Sequence, residues 1–514
     1  MTRALGIDLG TTFSAVAAVD SDGTPQILRN REGENITASV VLSQGGQVLV
    51  GSTAKRSAAA MPDDSAAFVK RFMGDPHWRF VDTQGNEYRA EQVSAFILKH
   101  LVDDAELLQG ERIEDVVITV PAYFDDARRK ATQDAGEIAG LNVLRLINEP
   151  TAAAVAYGLQ GLDSGTILVY DLGGGTFDVT AMKVDKGEFE VIATDGDRNL
   201  GGFDFDNELM KHVANQVRRA GGPDLLDSGA METDLREKCE LAKRTLTGVG
   251  QASVFITAGG SSHRIQVTRE QFEAMTKPLL DRTEVTLEGV MDDAGLQWSQ
   301  IDRILLVGGS TRMPMIAQMI ERVGGLVPES RINPDEAVAL GAATVADMAA
   351  AEGSGPTERS RGEGAQAAAI SIKDVTSQSL GVLAVAGGGN EGDPLRNFPV
   401  IPKNSKIPCK HENTFHTLSD DQRQWLFQVT EGDDPEPEYV TILLERPIDL
   451  PTGLRRGSNM KVIMSYDIDG VVHVEIVDLT NNKSLGEIEL DRPLNLDRSE
   501  VDQMRVAMGS VEVE

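Results

Sequence analysis

Two short stretches carry most of the chemistry this sequence can do: Asp8-Leu9-Gly10-Thr11-Thr12-Phe13 and Asp171-Leu172-Gly173-Gly174-Gly175-Thr176-Phe177-Asp178. Each has an apolar run, an Asp, a Gly/Thr turn and a return run, and the second copy begins 163 residues after the first, counted from Ile7 to Tyr170. Glycine lets backbone N–H groups approach a ligand with no Cβ in the way, and successive amides in such a turn cradle an anion. Thr11, Thr12 and Thr176 add hydroxyl donors. Asp8 and Asp171 place carboxylates at strand ends, where they would hold Mg2+ through water on a polyphosphate. One Asp-x-Gly turn is ordinary hairpin punctuation, but two copies can grip one polyphosphate from both sides. The chain has no G-x-x-x-x-G-K-[ST], so a P-loop enzyme is not supported. A third turn, Gly308-Gly309-Ser310-Thr311-Arg312-Met313, follows the run Ile304 to Val307. Alone it reads equally well as a strand-to-helix loop capped by Ser310 or Thr311. Beside the other two it reads as the nucleoside contact, with the Arg312 guanidinium stacked on the base.

The elements that must position these turns follow from periodicity. Asp115 to Val120, Ile167 to Tyr170 and Ile304 to Val307 are β-rich runs alternating with helical patterns such as Ala127 to Ala139, which predicts an α/β domain with a buried sheet. The repeat predicts two similar lobes facing each other. Ala349 to Ala369, rich in Ala, Gly, Ser and charge, has neither helical face nor strand alternation and reads as a flexible tether. Beyond it, Trp425 to Val429, Val440 to Leu444, Met460 to Ile468 and Val471 to Val477 are strand-length runs at hairpin spacing, the mark of a β-sandwich. Leu496 to Met508 is expected to form one short helix capped by Asp497 or Ser499. The predicted organisation is therefore a two-lobed nucleotide-binding domain over 1–348, a linker over 349–373, a β domain over 374–495 and a helical tail over 496–514.

Composition narrows the partners. With 49 Lys and Arg against 80 Asp and Glu, the 514-residue chain carries a net charge of −31, which repels phosphodiester backbones and anionic lipid. Neither nucleic acid nor a membrane is an expected partner. No signal-type apolar stretch precedes Asp8, which predicts a soluble cytoplasmic protein. Cys239 and Cys409 lie 170 positions apart with no CxxC partner, so neither a disulfide framework nor a zinc site is indicated.

Seven motifs in order, Asp8 to Thr12 (DLGTT), Val120 to Phe124 (VPAYF), Ile147 to Ala154 (INEPTAAA), Asp171 to Asp178, Leu200 to Asp204 (LGGFD), Val307 to Pro314 (VGGSTRMP) and Asn333 to Ala342 (NPDEAVALGA), resemble the DnaK-type 70-kDa heat-shock chaperones. The resemblance runs from residue 4 to about 348 and more faintly from Asp374 to about 490. It implies an actin-like, ribonuclease-H-like ATPase of two lobes, coupled by a linker to a β-sandwich that binds extended apolar peptides. Its cofactors would be ATP or ADP and Mg2+, with room for K+. Clients, a J-domain co-chaperone and a nucleotide-exchange factor would be its partners. Carried over, Lys70 matches the catalytic lysine, Glu149 the acid linking nucleotide state to the neighbouring lobe, and Asp171, Thr176 and Asp178 line the water and metal. Gly201, Gly202, Met313 and Asp335 fall at further nucleotide-binding positions of that family. Glu240, Lys243, Arg244 and Thr247 resemble the helix that cups ribose and adenine. Spacings of three, four and seven do put them on one face, which would equally suit a solvated ion-pair face. Pro121, Arg129, Arg145 and Asp374 match the interdomain relay; each is otherwise an ordinary strand cap or surface ion pair. Val382, Val385, Phe415, Leu418, Trp425 and Phe427 fall at peptide-pocket positions.

The sequence also departs from that family. Phe13 stands where a polar tip is usual, and Phe203 replaces the acid of the LGGxD turn, which puts exchange-factor contacts in doubt. The segment between Arg71 and Ala90 is short. The linker strand Ile370-Ser371-Ile372-Lys373-Asp374 is less apolar than usual, so its docking should be weaker. Counting without a gap, Trp425 fills the central pocket; a slip of one residue would turn it to the other face of its strand. The helical lid is expected to be absent. The first expectation is an ATP-hydrolysing chaperone with a lidless β domain. The alternative is a nucleotide-switched module with a filled pocket and one dedicated partner. A small-molecule kinase and an actin-like filament former fit the appended β domain poorly.

Overall fold

The computed structural model describes residues 4–158, 161, 164–329, 331–353, 370–387, 393–466, 472–489, 495–509 and 511–514. Its larger unit holds two related sheets. In the first, strand Leu5–Asp8 pairs antiparallel with Phe13–Val19 and parallel with Asp115–Val120, the sheet running on to Asn142–Asn148 and Pro25–Leu28. In the second, Ser164–Leu172 pairs antiparallel with Phe177–Asp185 and parallel with Arg303–Val307. The same arrangement of an Asp-bearing strand, an antiparallel return strand and a parallel neighbour recurs because each lobe is built around one Asp-Gly turn, as the sequence repeat predicts. Their central strands are sealed from water: Leu5, Ile7, Val116, Ile118, Leu168, Val169 and Tyr170 are all at 0% exposure. Strands buried on both faces require such continuous apolar runs. Helices Glu149–Gly158 and Ala337–Gly353 pack on one another and on the first sheet.

The smaller unit holds two four-stranded antiparallel sheets. One runs Leu395–Ile401, Leu380–Val385, Gln424–Glu431, Thr441–Asp449; the other runs Cys409–His416, Asn459–Tyr466, Val472–Asp478, Lys483–Glu489. They share a core in which Val382, Phe427, Val429, Val462, Met464 and Val474 are fully buried. The strand runs seen in the sequence fall in these strands, apart from Val440, which precedes strand Thr441–Asp449 as the cap of a short turn, and residues 467–471, which lie outside the described residues.

Two boundaries differ from the expectation. Ala349 to Gly353 is not tether but the end of helix Ala337–Gly353, because alanine favours helix over coil; the rest of that tether, 354–369, lies outside the described residues. Ser371–Lys373 then forms the outermost strand of the second lobe's sheet, the Ser371 N–H donating to Gly187 O at 2.9 Å. Ile370 and Ile372 are half-buried there. The larger change is at the C-terminus. Helix Arg498–Met508 forms with Asp497 as N-cap, its carboxylate accepting from Glu500 N at 2.8 Å. That helix belongs to the larger unit. Leu496, Val501 and Met508 join the first lobe's apolar core, Arg498 pairs with Glu137 at 2.7 Å, and Glu512–Val513 adds a parallel strand to Gln47–Val50. The apolar stripe of this helix, read alone, says that it packs but not on what.

A carboxylate placed in this apolar seam by Val501→Asp should cost the larger unit about 3 kcal/mol or more of stability. Urea unfolding of the full chain checks this, and a cost below about 0.5 kcal/mol would mean that the tail is not packed there in solution.

Candidate functional site

The two lobes meet through their turns. A Cβ on Gly174 would overlap Thr12 Oγ1, and one on Gly175 would sit 2.5 Å from Thr11 Cγ2. Only glycine allows that approach. Gly308 has φ +80, and a Cβ there would overlap the carbonyl of Leu172; the residue is thus required by both backbone angle and space. Around these contacts lies a cavity of about 350 Å3, large enough for a nucleotide-sized ligand.

Its walls hold most of the residues singled out from sequence. Asp8, Gly10, Thr11, Thr12, Phe13, Lys70 and Glu149 line it from the first lobe; Asp171, Gly173, Gly174 and Thr176 from the second. Gly202, Glu240, Lys243, Arg244, Thr247, Gly308, Gly309, Ser310, Arg312, Met313 and Asp335 complete it. Gly175, Gly201 and Asp178 stand behind this lining. Asp178 lies directly across the strand pair from Asp171 and accepts the Tyr123 N–H at 2.8 Å. Sequence reasoning passed over Phe68, Asp206 and Arg236, which also face the cavity. Arg236 was findable, since it sits four residues before Glu240 on one helix face. Asp206 takes a 2.9 Å ion pair from Lys243, which also donates to Gly202 O at 2.8 Å. Arg312 is tied to Asn333 and to Asp335, the latter at 2.8 Å.

At the floor, Lys70 and Glu149 form a buried ion pair, and Thr119 Oγ1 donates to Asp8 at 3.2 Å. Four carboxylates, Asp8, Glu149, Asp171 and Asp178, thus share one ammonium. Burial raises the Asp8 carboxyl from 3.8 to about 7, helped by the negative Glu149 and opposed by Lys70. Burial does the same to Asp178, also to about 7, again with Glu149 as the next cause. Asp171 is pushed well up by burial, then by Glu149, Asp178 and Asp8. Such a set lacks positive charge, and it fits a hydrated divalent cation. Among the described residues no three His, Cys, Asp or Glu side chains converge as a direct cage.

The interdomain and peptide positions are placed as follows. Pro121 is buried, and Arg129 donates to Asn148 Oδ1 at 2.5 Å and to Phe124 O at 3.1 Å. Arg145 is exposed on its strand. Asp374, in the smaller unit, accepts the Val375 N–H at 2.9 Å. In the β domain Val382 and Phe427 are sealed in the core, Val385, Phe415 and Trp425 are half-buried, and Leu418 is 41% exposed. Along Gln424–Glu431, Gln424 and Leu426 are exposed whereas Trp425 and Phe427 turn inward, so the ungapped count places Trp425 on the inner face. It packs against Phe415 at 5.8 Å and Phe427 at 5.1 Å between ring centroids.

Two lobes of equal design, meeting over a cleft lined by their Gly/Thr turns and followed by a β-sandwich, define an actin-like ATPase fold with an appended β domain. The chain matches the family described as Hsp70 protein over residues 4–514, and it belongs to that family. Among its relatives, the chaperone protein DnaK of Thermosipho melanesiensis is 40% identical over 489 residues, covering 93% of this chain and 78% of that one. The chaperone protein DnaK of Thermotoga maritima is likewise 40% identical, over 93% of this chain and 79% of that one.

The carboxylate cluster sets a pH dependence. Unfolded, these groups titrate near 3.8; folded, Asp8 and Asp178 keep their protons to about 7. Between those values the folded chain binds more protons than the unfolded one, so stability falls as pH rises. Calorimetry of the nucleotide-free protein should therefore show the melting temperature of the larger unit dropping from pH 5 to pH 8, with Asp178→Asn flattening the profile and Mg-ADP opposing the drop. An identical slope in Asp178→Asn would sink this account.

Proposed function

We propose that the protein works as an ATP-dependent chaperone of the DnaK type, hydrolysing ATP to ADP and phosphate in the cleft and using the nucleotide state to regulate the binding of unfolded client polypeptide by its β domain. The observation that carries this reading is the Lys70–Glu149 pair at the junction of two interlocked phosphate turns, on a chain of this family. Asp8 and Asp171 would hold hydrated Mg2+, which supplies positive charge to the phosphate oxygens; K+ is a further candidate for the same acidic floor. The amides of Gly10 to Thr12 and Gly173 to Gly175 bind and orient the phosphates. Lys70 stabilises negative charge on the transferred phosphoryl group and the attacking water. Glu149 fixes the direction of that ammonium, and Asp178 orders the neighbouring Asp171. The helix carrying Glu240, Lys243, Arg244 and Thr247 cups the nucleoside opposite Arg312.

The relay through Pro121, Arg129, Arg145 and Asp374, a J-domain co-chaperone and an exchange factor complete the reading. A cytoplasmic site of action agrees with it. Among the described residues no helix is long and apolar enough to cross a membrane. In the β domain, Trp425 occupies the inner face beside Phe415, so clients bind a shallower pocket than an aliphatic residue would leave.

Two outcomes test this. Lys70→Ala should lower steady-state ATP hydrolysis by about a hundredfold or more while nucleotide still binds, and in the wild type an apolar peptide and a J-domain should accelerate turnover. Hydrolysis that survives Lys70→Ala would remove Lys70 from the reaction; acceleration by neither addition would favour a module with one dedicated partner. Separately, Trp425→Val should tighten binding of a labelled apolar heptapeptide about fivefold, a gain near 1 kcal/mol, as read by fluorescence anisotropy. Weaker binding by the variant would show that the tryptophan is a contact and not a plug.

A further inference from the structure

Two phenylalanine rings at the cleft are each faced by cations, and both arrangements span the lobes. Phe13 opens the return strand of the first lobe. The Arg244 guanidinium, from helix Gly229–Gly248 of the second lobe, lies 5.2 Å from its centroid, and Lys55 Nζ of the first lobe lies 4.7 Å from it. Lys55 in turn reaches across to Glu240 at 2.6 Å. The second arrangement reverses the roles. Phe203, in the first turn of helix Gly202–Arg219, carries Arg71 of the first lobe at 4.7 Å and Arg236 of its own lobe at 4.2 Å. Phe68 of the first lobe meets the same ring edge-on, with centroids 4.6 Å apart at 62°. Arg71 also approaches Asp204 at 3.4 Å.

We infer that these are two reciprocal cation–π clasps that hold the lobes closed over bound nucleotide and set the rate of its release. The inference rests on the nucleotide reading of the cleft. A ligand between two lobes leaves when the lobes part, and contacts made only in the closed form lower the population of the open one by their own free energy. A guanidinium on a ring face at these distances contributes enough to change that population severalfold. The second clasp also touches the chemistry. Phe68 has φ +59, a left-handed conformation unfavourable for an aromatic residue, and it caps the short helix Val69–Phe72 that carries Lys70. Packing against Phe203 holds that turn in place, which makes Phe203 a positioning residue for Lys70. Opening of the clasp therefore frees nucleotide and loosens the lysine together.

The test is stopped-flow release of N-methylanthraniloyl-ADP, chased with unlabelled ADP, from the full chain. Leucine keeps the apolar volume and removes the ring, so Phe13→Leu and Phe203→Leu should each speed release about three- to tenfold. The clasps share no residue, so the double variant should be multiplicative. Phe203→Tyr should stay within about twofold of wild type, and Arg71→Gln should add little to Phe203→Leu. Phe203→Leu should also lower kcat with little change in KM, and Phe203→Tyr should restore it. Release by Phe203→Leu within about twofold of wild type, with Asp204→Asn speeding it instead, would assign the closure to ion pairs alone and overturn the clasp. A wild type that takes up no labelled ADP would overturn the nucleotide site itself, and the clasp with it.

Discussion

Crowding of negative charge around a single ammonium governs the centre of this protein. Asp8, Glu149, Asp171 and Asp178 lie in buried surroundings with Lys70 as their cation, and Asp8 and Asp178 respond by holding protons to about 7. Removing one member of a buried pair such as Lys70–Glu149 leaves a charge without its partner, at a cost of about 3–5 kcal/mol. The cluster thus carries an excess of negative charge that a further cation would offset. A hydrated divalent ion arriving with polyphosphate would be held by Asp8 and Asp171 and would supply that positive charge.

That charge cluster exists only because the backbones come so close. Gly174 and Gly175 stand against Thr12 and Thr11 with no space for a Cβ, which sets the two Asp-bearing strands facing each other. Cation–π contacts do the complementary work at the edge of the cleft. They tie side chains across the gap through neutral rings, so Arg71, Arg236, Arg244 and Lys55 bring positive charge to the edge of the cleft. In a chain of net charge −31, such cations also offset the field that would otherwise repel a polyphosphate.

Much of this was legible in the sequence because backbone geometry writes itself in glycine. The turns at Gly10, Gly173 and Gly308 were visible as Gly/Thr/Ser clusters after apolar runs, and the repeat disclosed two lobes. Trp425 was ambiguous, since period-2 alternation fixes which residues share a face only when the register is known. Phe68 and Asp206 escaped because their role depends on tertiary neighbours: Phe68 meets a ring 135 positions away, and Asp206 is buried against a lysine from another helix. Local pattern identifies Ala349 to Gly353 poorly for a related reason. An alanine-rich stretch reads as tether or helix alike until a packed helix before it supplies the nucleus that a free segment must form at a cost.

The tail shows why a helix that is easy to find can be hard to place. The Asp497 cap and the stripe of Leu496, Val501 and Met508 define an amphipathic helix wherever it goes, and the hydrophobic effect is non-directional. Its destination is fixed instead by specific partners: Glu137 for Arg498, and the free edge of Gln47–Val50 for Glu512 and Val513. An exposed strand edge is a row of unpaired donors and acceptors, and here the chain's own final residues satisfy it, with Glu514 N donating to Val48 O at 2.9 Å and Val50 N to Glu514 O at 2.8 Å. The β unit is thereby bracketed in sequence by two segments of the ATPase unit, a strand on the second lobe and a helix and strand on the first.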